Sequence, residues 1–436
     1  MRTAVIAPGA QAALPAVERG ATGGPHREIV TLPLPDPMTM PTRRTRPLDP
    51  PEEYARLRAD RPFSRLRLPG GRIGWLVTRY EHARALLEDP RLTPPLVQVT
   101  PATEPPVPGE HLEVPPGTFS ALDPPESTRY RRLISRHFTR KHMRELAPLM
   151  ERIVDDHVRA MTASGCPADL IAQFADPVPA IVITDMLGIP AADGEGYQRW
   201  VSTILSLGAA PDEIVTARTG IYGGLGELIR ATRKRPGKGI VSDLLQASPL
   251  SDEEVVKPLS DEEVVNMTAL LLITGMAGAH MLGLGAFALL QHPDQIAAIQ
   301  ADESLLEPMV EELLRYLTPV QYGATRTARE DLEIDGQPIR AGETIVVSMA
   351  AANRDPGIFP EPDRLDVGRT EQPHLAFGAG AHHCLGAQLA RAEMTIGFRA
   401  LFRQLPTLRL AVPPEEVPMR DAVLYGVRAL PVAWDR

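Results

Sequence analysis

The densest concentration of reactive side chains is the run Phe377-Gly378-Ala379-Gly380-Ala381-His382-His383-Cys384-Leu385-Gly386, directly ahead of a segment with helical character. A cysteine just before a helix start sits in the positive end of the helix dipole, which favours the thiolate, the form that binds metal. The glycines permit unusual dihedrals and let the backbone approach something flat and bulky. A single thiolate with no second cysteine nearby is not the pattern of zinc or of an iron–sulfur cluster, which recruit several ligands. It suits the axial ligand of haem iron. The alternative for the same residue is a buried structural cysteine on a turn.

The elements that must hold this loop are legible around it. A helix is expected over Gly386–Leu405. Upstream, Glu312-Leu313-Leu314-Arg315 places an acid and a base on one helical face at i,i+3, where they can pair. From Met267 to Leu290 no residue is charged, and the length would span a bilayer. Four features favour instead a helix buried through the centre of a large domain. The run is single, His280 lies near its middle, Ser260-Asp261-Glu262-Glu263 reads as a capping box opening a longer helix, and flanking aromatic and basic anchors are lacking. Further helices are expected over Pro51–Arg58, Glu81–Glu88, Pro125–Ser135, Met143–Ser164, Asp176–Leu187 and Pro308–Leu317. Short strands are expected at Arg65–Leu68, Trp75–Thr78, Leu332–Ile334, Gln337–Ile339 and Thr344–Ser348. The fold class is therefore mainly α with minor β: a long central buried helix and small sheets. A Pro-rich loop from Asp89 to Pro125 is long enough to be a binding loop or lid. The near-copies PLSDEEVVK (249–257) and PLSDEEVVN (258–266) read as a short duplication lengthening a surface loop.

Composition narrows the function classes. The 436 residues are 43% apolar and 23% charged with a net charge of −9, a globular balance that does not favour nucleic acid or an anionic membrane surface. Two cysteines, Cys166 and Cys384, exclude a disulfide framework and fit a reducing cytoplasm. The Ala-, Gly- and Pro-rich stretch 1–40 has no continuous apolar core of a secretory signal and is expected to be a disordered extension, with one domain over 41–436.

The ten-residue run resembles the haem-binding loop of the cytochrome P450 family, Phe-Gly-x-Gly-x-His-x-Cys-x-Gly, at each fixed position. Glu312 and Arg315 resemble the family's Glu-x-x-Arg pair, and Arg364, in Pro362-Asp363-Arg364-Leu365-Asp366, is similar to the arginine that completes that cluster. The resemblance covers about Leu48 to Trp434. It implies haem b (iron protoporphyrin IX) ligated by Cys384, with Phe377, Gly378 and Gly386 shaping the loop and Arg131, Arg326 and His382 holding the propionates. At the position four before Arg131, usually histidine in bacterial members, stands Ser127, which brings no charge and reads equally well as a plain helix-start residue.

The larger departure is in the buried helix. Family members carry an acid followed by threonine at its kinked centre, and this pair relays protons. One register puts Met276-Ala277 at those positions and the other Ala277-Gly278, so neither supplies an acid or an alcohol. His280, one turn on, replaces the acid if it points at the haem, and is otherwise a packed core residue. Three consequences compete: the substrate completes the relay in a hydroxylation or epoxidation; a substrate radical couples or desaturates without oxygen insertion, as for an aromatic or cyclic-peptide-like precursor; or a peroxide bypasses the relay. The resemblance is to soluble actinomycete members that tailor natural products. It implies a small apolar substrate, a separate ferredoxin with an NAD(P)H-dependent ferredoxin reductase, and Arg354, Arg369 and Arg391 as basic residues for the ferredoxin. Two other classes stand against the enzyme: a non-catalytic haem-binding protein, and a membrane protein built on residues 267–290.

Overall fold

A computed structural model describes residues 36–95, 113–247, 258–370 and 373–435, and the folded unit is Pro37–Arg436. The expected disordered extension lies outside the described residues up to residue 35. Its last residues belong to the fold. Met38 pairs with Leu66 through Met38 N–H to Arg65 O (3.0 Å) and Arg67 N–H to Met38 O (2.7 Å), and Met38 and Met40 pack on Tyr54, Leu57 and Leu66. The first copy of the duplicated segment and residues 96–112 of the Pro-rich loop also lie outside the described residues.

Fourteen α-helices are described. They are α1 (Glu53–Asp60), α2 (Tyr80–Glu88), α3 (Glu126–Ile134), α4 (Arg140–Ser164), α5 (Pro177–Leu187), α6 (Gly194–Leu205) and α7 (Pro211–Lys234). The second half adds α8 (Ile240–Leu245), α9 (Asp261–Gly275), α10 (Gly278–Leu289), α11 (Pro293–Ala301), α12 (Leu306–Leu317), α13 (Met349–Ala352) and α14 (Ala387–Gln404). The strands are β1 (Phe63–Arg67), β2 (Ile73–Val77), β3 (Leu92–Thr93), β4 (Ala168–Asp169), β5 (Ala324–Ala328), β6 (Leu332–Ile334), β7 (Gln337–Ile339), β8 (Thr344–Val347), β9 (Arg409–Leu410) and β10 (Pro431–Ala433).

The main sheet runs β1-β2-β8-β5-β3, with only the β2–β8 pair parallel (Leu76 opposite Val346). Strand β5, Ala-Thr-Arg-Thr-Ala, has no apolar alternation to announce it; it forms because both neighbours are strands whose edges it satisfies. Its pairing with β3 ties the start of the Pro-rich loop to the sheet, Leu92 opposite Ala328.

Helices α9 and α10 form the uncharged run, which threads the core. The capping box is in place: Glu263 N–H donates to Ser260 Oγ (3.1 Å) and Ser260 N–H to Glu263 Oε2 (2.8 Å). This is one helix long and apolar enough to cross a membrane, yet two thirds of its most apolar window is buried inside the protein (67%). Small residues let its neighbours in. A Cβ on Gly275 would lie 2.4 Å from Ile183 of α5, and one on Gly285 would lie 2.6 Å from Phe398 of α14. A run apolar on every face is what a helix enclosed by other helices requires, and the membrane reading loses its basis.

Between α9 and α10 the hydrogen-bond ladder shortens. Ala277 N–H goes to Thr274 O (3.2 Å) and Ala279 N–H to Met276 O (3.3 Å). The carbonyls of Ile273 and Gly275 therefore lose the donors that a regular helix would give them.

Candidate active site

The loop before α14 is held by its own backbone. Cys384 N–H donates to Phe377 O (2.9 Å), and Gly378 N–H to Leu375 O (2.9 Å). Gly378 and Gly380 both take φ of +70°, a conformation that favours glycine. Their uses differ. A Cβ at Gly380 would sit 2.6 Å from Leu87 O, so that glycine seats the loop against α2, whereas Gly378 has open space beside it. Gly386 has an ordinary φ of −79° as the residue capping α14. The Phe377 ring carries the Arg391 guanidinium 4.7 Å from its centroid. Arg391 in turn donates to both oxygens of Glu311 (2.6 and 2.8 Å). Burial would raise the Glu311 carboxyl, but Arg391 and His374 outweigh it and hold it at about 2.

Cys384 has open surface, yet it lies deep enough that burial raises its thiol pKa, against the opposing pull of the Gly386 amide, Arg131 and Arg391. Depth together with open area means that the sulfur faces an internal hollow. The positive end of α14 alone does not make the thiolate; a metal cation would.

Beside the hollow stand two guanidinium groups with no carboxylate within 4 Å among the described residues. Arg131 donates to His383 O (2.7 Å), and Arg326, only 6% exposed, donates to Thr325 O (2.8 Å). Burial lowers the pKa of both. His382 is half-buried, with Nε2 3.3 Å from Asp123 Oδ1; burial first and Arg326 second lower its pKa. Asp123 also accepts from Thr93 Oγ1 (2.6 Å) and from Arg329. Ser127 is buried in the first turn of α3, one turn before Arg131. Desolvated cations without anions call for an anionic partner. A soft thiol, two such cations and an apolar helix across the hollow fit the iron, the propionates and the ring of protoporphyrin.

Glu312 and Arg315 are both 2% exposed and pair through two bonds, 2.7 and 2.8 Å. The third member is Arg369 and not Arg364: Arg369 Nε lies 3.1 Å from Glu312 Oε2. The Arg364 side chain is 61% exposed and reaches only Glu361, while its backbone carbonyl accepts from Arg315 and Arg369. The same contacts remove the expected basic docking residues. Arg354 is 1% exposed, between Asp363 (2.7 Å) and the Tyr316 ring, and Arg369 and Arg391 are committed to Glu312 and Glu311.

On the opposite wall, Asn266, Leu270, Ile273 and Thr274 of α9, with Ala277 at the break, are among the positions that are not buried. Their spacing of four, three, one and three marks a single helical stripe. It starts where the Asn266 amide donates to Pro116 O (2.8 Å), in the loop that leads to Asp123 and Arg131. Ala277 lies on the stripe, and Met276 is buried off it. A Cβ on Gly278 would meet Glu393 Oε2 of α14 at 2.6 Å. Among these positions only Thr274 and Asn266 are polar.

His280 is off the stripe. Its ring packs against Gly426, where an added Cβ would lie 2.5 Å from Nδ1, and that nitrogen has no partner. Burial, then Arg420, pushes its pKa down to about 4, so the ring is neutral at pH 7. Two polar groups went unremarked in the sequence. Thr274 is one turn before Gly278, and Glu393 shares the buried face of α14 with Leu389, Ile396 and Gly397. Helical spacing from Ala277 and from Leu389 would have found both. Glu393 is 3% exposed, its Oε1 has no partner, and burial raises its pKa to about 8.

The chain matches known proteins over most of its length. Residues 225–422 match the family model described as Cytochrome P450. The chain is 44% identical to Cytochrome P450 105C1 of a Streptomyces species, over 91% of this chain and 99% of that one. It is 41% identical to the vitamin D3 dihydroxylase of Streptomyces griseolus, over 92% and 97%. The crystal structure of CYP105P1 in complex with filipin I superposes with a TM-score of 0.84 at 39% identity, covering 92% of this chain and 99% of that one.

Proposed function

The chain belongs to the cytochrome P450 family of haem-binding oxidoreductases, and from that premise we propose that it hydroxylates or epoxidises an apolar small molecule of secondary metabolism in the cytoplasm, with the substrate helping to deliver protons. In this reading Cys384 would supply the thiolate that ligates the iron, and Arg131, Arg326 and His382 would hold the propionates. When bound, the haem supplies the oxidising power of dioxygen and two electrons, which a ferredoxin and its NAD(P)H-dependent reductase deliver.

The protein's own contribution is shape, dryness and proton control. The stripe Leu270, Ile273 and Ala277 presents apolar surface to the substrate and excludes water from it. Glu311, held at about 2, and the Arg391 it grips keep Phe377 and the loop in place. His280, with its pKa near 4, holds no proton to give at neutral pH. The observation that carries the proposal is the open stripe beside the helix break, which contains no acid. Proton delivery then falls to a group that the substrate brings with it. The vitamin D3 dihydroxylase among the relatives supports a largely apolar substrate.

Turnover in isotopically labelled dioxygen, with ferredoxin, reductase and NAD(P)H, tests this. One labelled oxygen atom per product is expected. A product oxidised without label assigns the chain instead to coupling or desaturation, and NAD(P)H-independent haem binding with no product across precursors leaves only a binding protein.

A further inference from the structure

The broken helix presents acceptors and almost nothing else. Thr274 Oγ1 lies 2.7 Å from Leu270 O, so its proton is committed to its own helix. Its lone pairs remain, on the most open residue of the stripe. Beside it, Ile273 O has lost the Ala277 amide to Thr274 O. Ala277 and Gly278 add no side chain that would fill the space, and Glu393 Oε2 lies 2.6 Å from where a Cβ on Gly278, one turn after Thr274, would stand. Along the stripe the other side chain with donors is Asn266, and its amide is engaged by Pro116 O.

We propose that Thr274 Oγ1 and the released Ile273 carbonyl form a donor-accepting subsite that anchors an O–H or N–H group of the substrate, or a water in its absence. The inference rests on the functional reading above and names its substrate class: an apolar molecule carrying a hydroxyl or N–H near the atom that is oxidised. An ether or ester at that place would leave the acceptors unpaired in a dry site and bind less well. Thr274 touches the substrate in this account, which makes it a specificity residue.

The test uses the holoprotein and two probes. In the carbon monoxide complex of the reduced protein, a donor held by Thr274 lies beside the bound probe. The wild type is expected to show a C–O stretching component that shifts when H2O is exchanged for D2O; Thr274→Val removes it and Thr274→Ser keeps it. Identical H2O/D2O behaviour in wild type and Thr274→Val overturns the subsite. The second probe is a matched pair, borneol and its methyl ether, titrated optically into the ferric protein. The alcohol is expected to bind about tenfold more tightly, one neutral hydrogen bond's worth, and Thr274→Val to erase the preference. Equal or weaker binding of the alcohol by the wild type, including no detectable preference, overturns the substrate class. Absence of a strongly red-shifted Soret band in the same reduced sample strikes the haem-thiolate reading itself, which keeps the two failures apart.

Discussion

The two walls of the hollow are built on opposite principles. On the Cys384 side carboxylates are numerous and each is paired: Glu312 binds Arg315 and Arg369, Glu311 binds Arg391, and Asp363 binds Arg354, which also lies against the Tyr316 ring. Around the break between α9 and α10 buried polar atoms lack partners: His280 Nδ1 of α10 and Glu393 Oε1 of α14 have none, and Met276, Ala277 and Gly278 supply neither an acid nor an alcohol. A buried group with all its partners fixes geometry, whereas one without them is costly in a low dielectric and is retained when something else meets it. The proximal wall is scaffolding for a cofactor, and the distal wall is unfinished until a substrate arrives.

The comparison breaks most easily at Glu312. Glu312→Gln leaves the buried Arg315 without its counter-charge, and the cost is expected to be about 3–5 kcal/mol. Denaturant unfolding should show a large loss, and the haem content of purified protein should fall with it. A change below about 1 kcal/mol would mean that the cluster is not the scaffold.

Glu393, which approaches the helix break at Gly278, is probed by pH. Below about pH 4.5, its ordinary value, the carboxyl is protonated in folded and unfolded chains alike. Between 4.5 and its folded value of about 8 the native state keeps a proton that the unfolded chain has released. Stability is therefore lost as pH rises through that window, by about 1.4 kcal/mol per unit at most, and not beyond it. Glu393→Gln should remove this slope and be the more stable protein at pH 8, read from unfolding curves across pH. Parallel curves would place a partner on Glu393.

Smaller again is the effect of filling the break. Gly278→Ala should cost about 1–3 kcal/mol through the clash with Glu393 Oε2, and much less in a Glu393→Ala background. Additive losses in the double mutant would show that the two residues do not touch. At the bottom of the scale, Arg364→Ala should change stability by less than about 0.5 kcal/mol, whereas Arg369→Ala, which strips Glu312 of a bond, should cost several times that.

How far the sequence reached follows the same division. The loop was readable because its chemistry sits in ten consecutive residues, and Glu312 with Arg315 because i,i+3 on a helix is a fixed geometry. The central helix and its capping box were likewise local. Arg369 was not readable: which of two arginines in an irregular segment turns inward depends on backbone carbonyls that only the folded loop defines. Strand β5 was missed because its side chains are set by neighbours distant in sequence. Thr274 was within reach of helical spacing, three residues before Ala277 on the same stripe.

The central claim, that the hollow holds haem through Cys384, is tested most directly by the absorption spectrum of the purified, reduced protein under carbon monoxide, beside that of Cys384→Ser. The account predicts a strongly red-shifted Soret band in the wild type and its loss in the variant. A wild-type band at the unshifted position, in protein that is otherwise intact, would contradict it.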